Sequence, residues 1–251
     1  MQLEPHKRNW EDLAEVDPLW AILSNSQRQH GGWDLDEFFA AGEREVAGVM
    51  DTLQRLQLRI GDKTLLDFGC GVGRLTRAFA SRFQTCYGVD ISERMIEGAE
   101  RLNKDYTNCQ FRLNTVDNLR LFPDDSFDMI YTNLVLQHVP DRAIIKSYLR
   151  EFVRTLNAGG VAVFQLPSYI SLRRQLQPRR RMYTLLRSIG LPHTLLYNKL
   201  GLNPIKMNFI PAHEVISTVQ SAGGQVNCVD TKQTPQYQSS TYFVTRPAAT
   251  S

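Results

Sequence analysis

The stretch Leu65-Leu66-Asp67-Phe68-Gly69-Cys70-Gly71-Val72-Gly73-Arg74-Leu75-Thr76 constrains the fold of this chain more than any other. It reads as a short apolar strand, a turn with glycine at every second position, and a helix whose apolar positions include Leu75, Ala78 and Phe79. Glycine lacks a Cβ, so such a turn can take positive φ and let a ligand approach the backbone closely. The helix that follows opens with unpaired amides and a partial positive charge, which favour an anionic group. A tight strand-to-helix turn also needs glycine for structural reasons alone, so the motif has a plain reading beside the ligand-binding one.

A second signal lies downstream. Thr85-Cys86-Tyr87-Gly88-Val89-Asp90 reads as another buried strand ending in an acid. It falls about 20 residues beyond the first glycine, the spacing at which a parallel neighbour delivers a carboxylate to the two ribose hydroxyls of an adenosine. Asp90 also precedes Ile91-Ser92-Glu93, so a helix cap is its alternative use.

Two further segments complete a pattern: Ser126-Phe127-Asp128-Met129-Ile130 and Leu156-Asn157-Ala158-Gly159-Gly160. Together with Asp67–Gly73 and with Gly88-Val89-Asp90-Ile91-Ser92 and Met95, they make the chain resemble the class I S-adenosylmethionine-dependent methyltransferases, and more closely their small-molecule type. Gly69, Gly71 and Gly73 follow the Gly-x-Gly-x-Gly form of that family rather than the Gly-x-Gly-x-x-Gly of dinucleotide binders.

The resemblance implies an α/β fold, a Rossmann-like doubly wound seven-stranded sheet, mostly parallel with an antiparallel last strand, and S-adenosyl-L-methionine as cofactor. It assigns Asp67, Gly69, Gly71 and Gly73 to the methionine portion, Asp90 to the ribose, and Ile91 and Met95 to the two sides of the adenine. Arg74 either supports the methionine carboxylate or is a solvated helix residue. In the family an acid after the third strand meets the adenine amino group. Here Asn114 and Thr115 stand where that acid is commonest, which leaves Asp117 or the Val116 backbone for the role, with a simple turn as the plain reading.

Length and composition agree with this reading. At 251 residues the chain is long enough for one sizeable α/β domain with an appendage. Its hydrophobic content of 42% and charged content of 22% are ordinary for a globular protein, and a net charge of +3 is too small to imply a polyanion partner by itself. Cys70, Cys86, Cys109 and Cys228 form no Cys-x-x-Cys pair, so reduced thiols and a cytoplasmic location are expected. No apolar run approaches the ~20 residues needed to span a bilayer, and Met1-Gln2-Leu3-Glu4-Pro5-His6 does not read as a secretory signal. No internal repeat is visible.

In chain order, residues 1–61 read as a helical cap carrying Trp10, Trp20 and Trp33. Within it Asp34 caps a helix with apolar Val46, Val49, Met50, Leu53 and Leu56 at helical spacing. Its aromatics are either packing residues or, for Trp20, Trp33 and Phe38, the lining of a substrate mouth. Residues 62–167 and 211–246 form the cofactor-binding core. A third strand spans Asn108–Asn114, a fourth Phe127–Asn133, and a fifth Val161–Leu166, closed by Pro167.

The edge after the fourth strand, with Asn133, Leu134 and His138, should face the methionine end of the cofactor. His138 is the candidate general base, with a capping or packing histidine as its bland alternative. Some relatives hold a metal with a Glu-His pair here; Gln137 replaces the acid, so no metal is expected. A helix with Ile144, Ile145, Tyr148, Leu149, Phe152 and Leu156 should stop at Gly159-Gly160. Pro211 opens a last helix ending at Gly223-Gly224, a closing hairpin spans Gln225–Lys232 and Ser240–Thr245, and Arg246–Ser251 reads as a frayed tail.

Residues 168–210 form a basic helical insertion, with Arg173, Arg174, Arg179, Arg180, Arg181 and Arg187 beside Met182, Leu185, Leu186 and Ile189 at i, i+3, i+4 and i+7. Three readings stay open: a lid with solvated arginines, a site for phosphate or carboxylate on the substrate, and a surface for anionic lipid or RNA. Pro192 and Pro204 imply short folded pieces, as in a lid.

The chemistry implied is displacement of a sulfonium methyl by an oxygen or nitrogen of a small-molecule, in one reading anionic, acceptor. An RNA methyltransferase using the insertion and a non-catalytic cofactor-binding partner protein are the alternatives. A nicotinamide-dependent dehydrogenase has the glycine spacing against it. Acceptor identity and oligomeric state are not fixed by the sequence.

Overall fold

The computed structural model describes residues 3–248, so the first two residues and the last three of the tail expected at 246–251 lie outside it; Arg246, expected to fray, instead donates its N–H to Gly160 O at 3.1 Å. Three helices lead: α1 Glu4–Val16, α2 Pro18–Ile22 and α3 Leu35–Arg55. Then come β1 Thr64–Phe68, α4 Arg74–Phe79, β2 Thr85–Asp90, α5 Glu93–Leu102, β3 Cys109–Leu113 and β4 Phe127–Thr132. After α6 Arg142–Thr155 and β5 Leu156–Ile170, three short helices follow: α7 Leu172–Gln175, α8 Pro178–Ser188 and α9 His193–Asn198. The chain closes with α10 Ala212–Ser221, β6 Gln225–Gln233 and β7 Tyr237–Thr245.

The strands form one seven-stranded sheet in the order β3-β2-β1-β4-β5-β7-β6. Neighbours from β3 through β5 are parallel, and β7 is antiparallel to both β5 and β6. The expected topology, with a lone antiparallel last strand, is what the chain adopts. Strand order reverses between β1 and β4, which opens a crevice beyond their carboxyl ends.

Successive strand residues point to opposite faces, and here both faces are covered. Leu66, Phe68, Ile130 and Phe164 pack with Tyr148 and Phe152 of α6 and Val215 and Val219 of α10. Leu65, Met129, Tyr131 and Val163 pack on the other side with Val46 and Leu53 of α3 and Leu75 and Phe79 of α4. The buried face of α3 follows the predicted spacing, and Asp34 caps it by accepting from Glu37 N at 3.0 Å.

Two expected boundaries are corrected. Helix α6 does not reach Gly159-Gly160. It stops at Thr155, Leu156 pairs with Phe127 as strand, and Asn157 donates to Asp128 Oδ1 at 2.7 Å. The glycines instead sit in an irregularity of β5, where Gly159 takes φ +79° and its N–H bonds Arg246 O at 2.7 Å. Pro167 does not close β5 either, because the register to β7 shifts just after it and the strand runs on to Ile170.

In the insertion Arg173, Arg174, Arg179 and Arg181 are exposed, while Arg180 and Arg187 are half-buried. Tyr183 of α8 is buried and its hydroxyl donates to Asp12 of α1 at 3.2 Å, with Arg187 Nε 3.5 Å from the same carboxylate. The expected apolar face points away, with Met182, Leu185 and Ile189 exposed by 48%, 59% and 66%.

Candidate functional site

The glycine turn between β1 and α4 holds three left-handed residues, with φ of +76° at Gly69, +53° at Gly71 and +81° at Gly73. The N–H groups of Gly69 and Cys70 both donate to Val89 O, at 2.8 and 2.9 Å, and tie the turn to the end of β2. Gly69 and Gly71 line a cavity beyond the carboxyl ends of β1 and β2. Gly73 does not: a Cβ there would meet Asn103 Nδ2 at 2.6 Å and the Phe111 ring at 2.8 Å, so close packing requires it.

Asp90, at the end of β2, clamps the turn. Its Oδ2 accepts from Gly71 N and its Oδ1 from Ser92 N, each at 2.9 Å, and it lines the cavity. Burial raises its pKa against the pull of these backbone donors. Ile91 and Met95 line the same cavity.

Asp67 is 1% exposed and faces α4, where Thr76 Oγ1 donates to it at 2.7 Å. It is not among the lining residues, and burial pushes its carboxyl up to about 7. Arg74 is not solvated, since it is 3% exposed and its Nη2 lies 2.8 Å from Glu45 Oε2. Its Nε and Nη1 have no partner. Glu45 Oε1 also accepts from Tyr131 Oη at 2.9 Å and from Asn133 Nδ2 at 2.8 Å, and Asn133 lines the cavity. Glu45, which no motif marked, thus joins α3, α4 and β4 beneath the site.

After β3 the chain places a different residue than expected. Val116 and Asp117 are exposed and away from the cavity, and Val116 O is engaged by Tyr148 Oη at 2.6 Å. Asn114 lines the cavity instead. Its N–H bonds Asp90 O at 2.8 Å, its Nδ2 donates to Asn118 O at 3.1 Å, and its buried Oδ1 has no partner.

His138 ends the 3-10 turn Leu136–His138 that follows β4. Its Nδ1 lies 2.6 Å from Lys206 O, and a carbonyl only accepts, so the proton sits on Nδ1. Nε2 therefore carries the lone pair and accepts from Gln137 Nε2 at 3.1 Å. Burial lowers its pKa, so the ring is neutral at pH 7.

Helix α1 closes the cavity with His6 and Trp10, neither of which was singled out from the sequence as a site residue. His6 Nε2 accepts from Trp10 Nε1 at 3.2 Å, and burial together with His138 and Lys206 pushes its pKa down to about 4. The Trp10 ring meets His138 edge-on, with centroids 5.7 Å apart. Of the expected mouth residues, Trp33 and Phe38 pack on each other at 5.8 Å, and Phe38 is fully buried. Trp20 lines a second, open cleft.

That cleft carries Gln137, Arg173, Arg174, Arg179 and Arg180, and it shares Ile22, Leu134 and His138 with the cavity. Leu134, at φ +62°, donates its N–H to Gln165 Oε1 at 3.2 Å. His138 therefore stands where the two spaces meet. Burial lowers the pKa of Arg180, with Arg181 adding to the effect.

The residues present fit an adenosyl cofactor, because the cavity offers a terminal carboxylate, an unpaired amide oxygen and two bare glycines.

A family model described as a methyltransferase domain matches residues 66–164. The chain is 36% identical over 127 residues to an uncharacterized methyltransferase of Bacillus subtilis, covering 50% of this chain and 47% of the relative. It is 26% identical over 213 residues to a ubiquinone biosynthesis O-methyltransferase of Nitrosomonas europaea, covering 84% of each. The chain spans about half the length of the first curated relatives it matches. In fold it is similar to the magnesium protoporphyrin IX methyltransferase of Synechocystis PCC 6803 solved with bound SAH, with TM-score 0.62, 17% identity, and coverage of 98% of this chain and 100% of that one.

Proposed function

Because this chain belongs to the class I S-adenosylmethionine-dependent methyltransferases, we propose that it transfers a methyl group to an oxygen or nitrogen of a small acceptor carrying an anionic group. The observation that carries this reading is the position of His138, shared by the cavity at the glycine turn and the arginine-lined cleft, with an unprotonated Nε2.

When bound, the cofactor supplies a methyl group on a sulfonium whose departure as a neutral thioether needs no acid from the protein. In this reading Asp90 accepts from the ribose hydroxyls, and Asn114 Oδ1 accepts from the adenine amino group. Ile91 and Met95 flank the base, while Gly69 and Gly71 leave room for the methionine portion. Asn133 and Leu134 border its end, and Arg74 acts through Glu45, which accepts from Asn133. Asp67 and Gly73 act by holding the turn, through Thr76 and through close packing.

His138 takes the proton of the acceptor on Nε2 as Gln137 yields that position, and Lys206 O keeps the ring oriented. Arg173, Arg174, Arg179 and Arg180 orient the anionic group of the acceptor in the cleft. Residues 1–61 serve as cap, 62–167 and 211–246 as core, and 168–210 as substrate region. Helix α1 excludes water. The oxygen acceptor has the support of the Nitrosomonas relative, which is named an O-methyltransferase.

The test is a metabolite extract incubated with methyl-labelled cofactor and this protein. Label should pass into an acidic small molecule and be lost in His138→Ala. No transfer into any compound, with cofactor binding intact, would remove the enzymatic reading.

A further inference from the structure

Of the twelve large hydrophobic residues exposed among the described residues, eight fall between Tyr169 and Leu200. The same insertion, 168–210, holds eight Lys and Arg and not one Asp or Glu. The whole chain has 29 basic and 26 acidic residues, so everything outside the insertion is net negative. Apolar exposure and positive charge are thus concentrated on one short part of the molecule.

Helix α8 shows how the two are arranged. At 3.6 residues per turn, Met182, Leu185 and Ile189 form one stripe, and Arg181 and Arg179 lie on its two flanks. The opposite side carries Tyr183 and Arg187, held on Asp12 of α1, and Arg180, which lines the cleft. The inward side is already partnered and the outward side is not. Leu172 and Leu176, spaced i, i+4 across α7 and its C-terminal end, extend the exposed apolar surface, at 80% and 56% exposed.

We propose that the outer face of this insertion docks on a bilayer surface rich in anionic lipid. A stripe of aliphatic side chains flanked by arginines enters the boundary between headgroups and acyl chains, with guanidinium groups reaching back to lipid phosphates. A second copy meeting this face with its own does not suit it, because two such basic surfaces repel. RNA has use for the arginines but offers nothing to exposed leucine and isoleucine. Among the described residues no helix is long and apolar enough to cross a membrane, so the contact is peripheral. Arg179 belongs both to the flank of the stripe and to the cleft, so the docked face borders the acceptor site.

The test is co-sedimentation of the full chain with vesicles of phosphatidylcholine alone or with one quarter phosphatidylglycerol, at physiological salt. Binding is expected to the anionic vesicles and to fall at least tenfold without the charged lipid. Replacing Arg179 and Arg181 with glutamine should lower it about 30-fold, two basic residues at ~1 kcal/mol each. Leu185→Ser with Ile189→Ser should lower it at least tenfold with an unchanged thermal melt, since both side chains are already in solvent. Equal binding to neutral vesicles, absence of sedimentation, or full binding by the serine variant would each overturn the proposal. So would binding of bulk tRNA by the unaltered protein with no binding to the anionic vesicles. The assay needs no cofactor, so its failure leaves the methyl-transfer reading where it stands.

Discussion

Arg74 and Glu45 form an ion pair at 2.8 Å in which the guanidinium is 3% exposed, and this pair ties the N-terminal helix α3 to the helix that follows the glycine turn. Removing one partner of a buried pair leaves an uncompensated charge. Glu45→Gln should therefore cost about 3 kcal/mol, the low end for such a pair because Glu45 is itself 21% exposed on its side chain. Urea unfolding monitored by tryptophan fluorescence checks this, and an unchanged midpoint would show that the pair is not buried in solution.

Asp90 does two jobs that substitution separates. Asp90→Ala should lower affinity for S-adenosylhomocysteine on the order of 100-fold, the worth of one or two charge-assisted hydrogen bonds. It also leaves the N–H groups of Gly71 and Ser92 without their acceptor. Asp90→Asn keeps an acceptor for one of them and should lose less. Calorimetry on both variants reads the difference, and equal loss would place the effect in the turn rather than at the ribose.

Asn114→Leu should weaken binding of the same nucleoside about tenfold by removing one acceptor. An analogue lacking the 6-amino group should bind the variant and the unaltered protein alike. A tenfold loss that persists with this analogue would mean that Asn114 acts on the fold and not on the base.

Burial moves the buried histidines and Asp67 in ways that pull stability in opposite directions with pH. His6 is lowered from 6.5 to about 4, so the unfolded chain binds more protons in between, and its contribution is full above pH 6.5 and drains as pH falls towards 4. Asp67 is raised from 3.8 to about 7, so its contribution is present below pH 3.8 and lost as pH rises through 7. His6→Gln should remove a rise in stability between pH 4 and 6.5, and Asp67→Asn a fall in stability between pH 3.8 and 7. NMR titration of the histidine rings should place His6 near pH 4 and His138 below 6.5.

The parts of the fold that were readable are those encoded locally. The glycine turn, the acid ending β2 and the continuous burial of β1 follow from residues a few positions apart. Asn114 was passed over because an acid was expected there, although an amide oxygen is equally an acceptor for an amino group. Glu45 left a signal: it sits between Gly42 and Val46 on the buried face of α3, where a carboxylate needs a partner. His6 and Trp10, at i, i+4 on one face of α1, are a similar sign, but nothing local tells which cavity that face covers. In α8 the apolar period was visible. Period alone does not say which side faces water, and here a tyrosine, an arginine and the aspartate of a distant helix decided it.

Helix α1 is fastened along one side and at its middle. Glu11 accepts from Glu93 N at 2.6 Å, Glu15 pairs with Arg94, and Asp12 holds Tyr183. Its other side roofs the cavity through His6 and Trp10. A nucleoside bound in the cavity would lie under this roof, whose fastenings to Arg94 and Tyr183 are polar and partly exposed. Salt that screens the exposed Glu15–Arg94 pair should therefore loosen the cover and speed exchange of bound S-adenosylhomocysteine, with no change at any atom lining the cavity.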